Sequence, residues 1–158
     1  MGDRDERRAR LAGRAHAPLR SVRGGGQGAP GTDELRLPAR PSSARLARDW
    51  VMNKLAADGV FGAENQVVEL LTGELVANAA LHGPPDGLVR VRAWRIRRTV
   101  RVAVRDDSSQ APVVLHSGPS ATSGRGLALV DTLAADWGIE RHGSRGKTVW
   151  FSVDLDQG

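Results

Sequence analysis

Residues 74–82 read Glu74-Leu75-Val76-Ala77-Asn78-Ala79-Ala80-Leu81-His82. No glycine or proline interrupts them, and their apolar content fits a helix packed against a core. Glu74, Asn78 and His82 stand at i, i+4 and i+8, so each is rotated only ~40° from the one before. An acid, a carboxamide and an imidazole therefore share one stripe, flanked by Leu70, Leu71, Leu75, Val76, Ala79 and Ala80. A carboxylate beside so apolar a surface loses water and calls for a cation or a proton.

Working outward, this helix begins near Ala63 or Glu64 and is broken after His82 by Gly83-Pro84-Pro85. Upstream, Glu34 to Pro38 alternates polar and apolar residues and reads as a short strand stopped by its proline. Pro41-Ser42-Ser43 is an N-cap signature for a helix from Ala44 to Ala57, with an apolar stripe at Leu46, Trp50, Val51 and Leu55. Asp58-Gly59 ends it.

Downstream, Leu88–Ile96 and Val100–Arg105 predict two antiparallel strands joined across Arg97-Arg98-Thr99. In the second, Val100, Val102 and Val104 share one face, and Arg101, Ala103 and Arg105 share the other. Val113-Val114-Leu115 suggests a further short strand, and residues 116–123 read as a loop. A helix from Gly126 to Ala135 turns Leu127, Val130 and Leu133 inward. Strands at Trp137–Glu140 and Lys147–Leu155 close the chain around a turn at Gly143–Gly146. The order predicts an α+β fold: a two-layer α/β sandwich with helices on one face of a mixed, mostly antiparallel sheet. There is no internal repeat.

The 158 residues suffice for one domain with a substantial core, and 40% hydrophobic content is ordinary for a globular chain. The absence of cysteine excludes disulfides, thiolate metal sites and cysteine nucleophiles. No apolar run approaches the ~18–20 residues that span a bilayer, and Arg7-Arg8 lacks the apolar stretch of an export signal. No membrane association and a cytoplasmic location are expected. The net charge of +5 suggests a nucleic-acid partner until it is located. Seven arginines against three acids give residues 1–31 a charge of +4, which leaves +1 for the other 127. The basicity belongs to an Arg-rich tail, joined through the Gly24–Gly31 linker and expected to be disordered. Such an arm can touch nucleic acid by charge alone, but a solvated tail is the simpler reading. The expected division is a tail at 1–32 and a domain at 33–156.

Three motifs carry chemistry. Asp106 ends a strand, where a fixed carboxylate can accept a hydrogen bond from the exocyclic amine of adenine; Asp106-Asp107-Ser108 is equally well a turn. Ser123-Gly124-Arg125-Gly126 precedes a helix, whose free N–H groups and positive dipole end suit a triphosphate, though Gly-x-Gly alone is a weak signal. It is neither a P-loop nor a dinucleotide fingerprint. Asn78 offers a hard oxygen to Mg²⁺, and Glu74, one turn away, can take a proton from an attacking hydroxyl. Taken alone, the pair also fits the polar edge of a half-exposed helix. His82 suits a helix C-terminus and has no partners at zinc spacing.

Taken in order, these motifs change the weighing. Glu-x-x-x-Asn on a helix, a strand ending in Asp, Gly-x-Gly at a helix start and Gly-x-Thr entering a final strand resemble the GHKL, or Bergerat-fold, ATPases. Glu74 to Gly83 looks most like the corresponding box of the anti-sigma factor serine kinases of the SpoIIAB and RsbW type. Leu35-Arg36-Leu37-Pro38-Ala39, followed by a Ser-Ala-Arg helix, is similar to the actinobacterial branch of that group. The resemblance covers about residues 33–155.

It implies ATP and Mg²⁺ as cofactors, with Glu74 as catalytic base, Asn78 as the Mg²⁺ ligand and Asp106 as the adenine-reading acid. Gly124, Arg125 and Gly126 would contact phosphates, and Thr148 of Gly146-Lys147-Thr148 would support the adenine carboxylate. The implied activity is ATP-dependent serine/threonine phosphorylation of an anti-sigma factor antagonist, coupled to sequestering a sigma factor in transcription regulation. A homodimer is also implied. No phosphotransfer dimerisation helix precedes the domain, so a complete histidine kinase is not expected.

The chain departs from the wider pattern after the adenine-reading acid. Asp-x-Gly-x-Gly is replaced by Asp106-Asp107-Ser108-Ser109-Gln110, and the lid between Ala111 and Ser123 is short. Side chains there restrict the backbone and, on this resemblance, would narrow the purine pocket. The alternative reading is accordingly a partner-sequestering module of the same fold with weak or absent catalysis.

Overall fold

The computed structural model describes residues 33–84, 86–108 and 122–155. The tail at 1–32, the strand expected at Val113–Leu115 and most of the loop after it lie outside the described residues. The elements run β1 (Leu35–Pro38), α1 (Ser43–Ala57), α2 (Ala63–His82), β2 (Leu88–Ile96), β3 (Thr99–Asp106), α3 (Thr122–Leu133), β4 (Asp136–Arg141) and β5 (Lys147–Asp154). A 3₁₀ turn at Gly143–Arg145 joins the last two strands.

The five strands form one sheet in the order β1-β2-β3-β5-β4. All four pairings among the described strands are antiparallel, in keeping with the mostly antiparallel sheet expected from sequence. The physical reason is connectivity. Hairpins join β2 to β3 and β4 to β5, and α3 returns the chain to the far edge, so no described strand needs a parallel neighbour. α1 packs over β1 and β2, α2 over β3 and β5, and α3 against α2 and β4. Three helices thus cover one face, as the two-layer reading requires.

Strict alternation builds the core. Val89, Val91 and Ala93 of β2 meet Val100, Val102 and Val104 of β3, which meet Val149, Phe151 and Val153 of β5; all are buried under the helices. From α1 the core takes Ala47, Val51 and Leu55, and Ser43 is buried on the same face. Leu46, expected inward, is 56% exposed, and Leu70 and Leu133 also face outward. In each helix a neighbouring residue nearer the stripe centre takes the core position: Ala47, Leu71 and Val130. The start of α1 is held by the Ser43 hydroxyl, which donates to the Pro38 carbonyl at 2.6 Å, while Ser42 makes no side-chain cap.

The opposite sheet face carries a second, smaller cluster of Trp94, Ala103 and Trp150. The Arg101 guanidinium lies 4.2 Å from the Trp150 ring centroid. Burial lowers the Arg101 pKa below its ordinary value, and Asp136 opposes the shift.

Candidate functional site

α2 presents Glu74, Asn78 and His82 along one stripe at the border between its buried and half-buried faces. Asn78 is buried, and its Oδ1 has no hydrogen-bond partner among the described residues. His82 Nε2 is likewise buried and unpartnered. Glu74 is half-buried, with no hydrogen bond or ion pair to another described residue. A buried carboxamide oxygen without a donor is costly unless something else satisfies it. A hard cation does so, and Asn78 therefore fits a Mg²⁺ ligand whose other ligands are waters and phosphate oxygens. No group of three or more His, Cys, Asp or Glu that could hold a metal by itself occurs among the described residues.

Asp106 continues the inward row of Val100, Val102 and Val104, so its carboxylate points to the helix side of the sheet. Its Oδ1 accepts from the Ser108 amide at 2.8 Å, a side-chain turn that reconciles the two readings of this segment: turn and inward carboxylate coexist. Asp107 Oδ2 accepts from the Leu88 amide at 3.0 Å and ties the end of β3 to the start of β2.

The residue opposite Asp106 in register is Lys147, not Thr148. Lys147 Nζ lies 3.0 Å from both carboxylate oxygens, and the two side chains are 3% and 2% exposed. Thr148 pairs with Arg105 and Glu140 on the other face of the sheet, and its Oγ1 is 2.8 Å from His142 Nε2. The support expected from Thr148 for the adenine carboxylate is corrected accordingly: strand alternation turns its hydroxyl away, and Lys147 takes that place. Sequence reasoning missed Lys147, although counting back by two from Phe151 and Val149 reaches it.

Gly146 makes this register possible. Its φ is +98°, and a Cβ there would overlap the Asp106 carbonyl oxygen. Only glycine lets the end of β3 and the start of β5 approach so closely.

Gly124, Arg125 and Gly126 were expected at the mouth of a helix beginning at Gly126. They lie instead inside the first turns of α3, which starts at Thr122. Both β3 and α3 contact α2, so the elements bearing the Asp106 carboxylate, the Glu74–Asn78 stripe and the 124–126 segment are neighbours in the fold.

A family model described as the histidine kinase-like ATPase domain matches residues 37–153. The chain belongs to that family, whose domain implies ATP binding. Among solved structures it is similar to the RsbU and RsbW domains of Rv1364c from Mycobacterium tuberculosis, at 23% identity and a TM-score of 0.57, over 80% of this chain and 33% of that one. It is also similar to the histidine kinase domain of the blue-light activated kinase EL346 from Erythrobacter litoralis, at 28% identity and a TM-score of 0.47, over 60% and 46%. The chain spans less than half the length of either. Among curated proteins none matches. No helix among the described residues is long and apolar enough to cross a membrane.

Proposed function

We propose that this chain is an ATP- and Mg²⁺-dependent regulatory serine/threonine protein kinase of the anti-sigma factor type. The observation that carries the reading is the buried Asn78 oxygen, without a partner among the described residues, one helical turn from a Glu74 carboxylate that makes no hydrogen bond or ion pair among them. Bound ATP supplies the phosphoryl group. Asn78 holds the cation, and Glu74 accepts the proton of the attacking serine or threonine hydroxyl as its oxygen bonds to the γ-phosphorus. The β,γ-bridging oxygen leaves with ADP. The acceptor is an antagonist protein, and a sigma factor is the second partner.

Incubation of the chain with labelled ATP and candidate antagonists tests this. Transfer that disappears in Glu74→Ala and in Asn78→Ala supports it. Full transfer in both variants refutes the assigned roles.

A second reading, a sequestering module without chemistry, draws support from the Lys147–Asp106 pair, which occupies the carboxylate that adenine would use. Calorimetry with Mg-ATP separates the two: no heat of binding at millimolar nucleotide favours the inert module.

A further inference from the structure

We propose that Lys147 determines the affinity and base selectivity of the nucleotide site: it holds the Asp106 carboxylate, and a purine amino group gains that carboxylate only when the Lys147 side chain leaves it. The inference rests on the reading of this chain as a nucleotide-binding domain.

The Asp106 carboxylate is already satisfied by the protein. Oδ1 accepts from the Ser108 amide at 2.8 Å and from Lys147 at 3.0 Å, and Oδ2 accepts from Lys147 at 3.0 Å. Water reaches neither partner to any extent. An incoming amino group would replace a charge-assisted bond with a neutral one, which is the weaker of the two. If Lys147 stayed in place, its ammonium would lose part of its hold on the Asp106 carboxylate while still buried, and uncompensated buried charge is strongly unfavourable. Nucleotide binding and the ion pair are therefore in competition.

The residue type suits a releasable contact. Lys54 and Lys147 are the only lysines among 23 basic residues. An arginine here would grip the carboxylate with a rigid two-pronged fork, whereas an ammonium on a four-carbon stem swings away as a point charge. The backbone does not share that freedom. Gly146 fixes the start of β5 against Asp106, so displacement falls to the Lys147 side chain alone.

The test uses the full chain and three variants, Lys147→Thr, Lys147→Met and Lys147→Arg, titrated calorimetrically with Mg-ATP and with Mg-ITP. ITP carries a 6-oxo group in place of the 6-amino group. The expected result is at least tenfold tighter ATP binding by Lys147→Thr and Lys147→Met, no gain in Lys147→Arg, and no comparable gain for ITP. Acetic anhydride labelling of the unaltered chain gives an independent readout that needs no variant to fold. Lys147 should be protected without nucleotide and should label faster with saturating Mg-ATP, with Lys54 as the internal reference. Equal ATP affinity in all four proteins, or a Lys147 that stays protected at saturation, overturns the role of Lys147 and leaves nucleotide binding standing. Absence of ATP binding in every folded protein overturns both.

Discussion

Gly138 lies against the indole of Trp150, its cross-strand partner, so closely that a Cβ on Gly138 would sit 2.8 Å from both Cζ2 and Nε1 of that ring. The missing side chain is what lets a fully buried tryptophan lie across β4 on the sheet face away from the helices. Together with Ala103, Trp94 and the overlying Arg101 guanidinium, it gives the five-stranded sheet an organised second face.

Gly138→Ala should therefore destabilise the chain by about 1–3 kcal/mol, the usual cost of overpacking. Urea unfolding measures it, and a midpoint unchanged from the parent chain would show that Trp150 can move aside. Trp150→Ala in the same background should remove most of the penalty, because the two residues are in contact and their effects are coupled.

Gly146→Ala is expected to be worse, by at least about 3 kcal/mol, because a backbone atom and not a side-chain tip obstructs the new methyl group. A positive φ adds strain for any residue with a Cβ. Thermal unfolding followed by circular dichroism reads the effect. A variant as stable as the parent would mean that the junction between Asp106 and Lys147 is looser than its geometry indicates.

Much of the fold is legible because two periods dominate the chain. Val100, Val102 and Val104 announce β3, and the same alternation carried on to Asp106 gives the direction of its carboxylate. The helix at 63–82 follows from an uninterrupted apolar period and the Gly-Pro-Pro that breaks it. What sequence could not supply is register between distant strands. Trp94, Ala103 and Trp150 are neighbours only because β2, β3 and β5 pair as they do, and nothing local says so. The Gly146-Lys147-Thr148 motif points to Thr148, whereas the alternation running back from Val149 puts Lys147 on the inward face beside Asp106. Leu46 and Leu133 read as inward because a helical stripe is broad at its edges, and only the contact with the sheet decides which edge is covered.

Asn78→Ala should separate stability from binding. The native Oδ1 is buried without a donor among the described residues, so its removal recovers a desolvation cost, and the variant should unfold within about 1 kcal/mol of the parent. Stabilisation by added Mg-ATP, read as a rise in melting temperature, should be lost. Loss of several kcal/mol without nucleotide would instead make Asn78 a packing residue.

Glu74→Gln tests the proposed base with the least disturbance to shape. Glu74 is half-buried on α2 and makes no hydrogen bond or ion pair among the described residues, so the substitution leaves no partner stranded. Folding stability should stay within about 0.5 kcal/mol of the parent, as for surface changes that break no network. The carboxamide cannot take a proton from an attacking hydroxyl. Phosphotransfer should therefore fall by about 10²–10⁴-fold, the range that general bases contribute. Mg-ATP affinity should hold, because the proposed cation ligand is Asn78 and the proposed base reader is Asp106. Single-turnover transfer and calorimetric binding, measured on the same protein, distinguish the outcomes. Parallel losses in both would assign Glu74 to binding, and undiminished transfer would place the base on another residue.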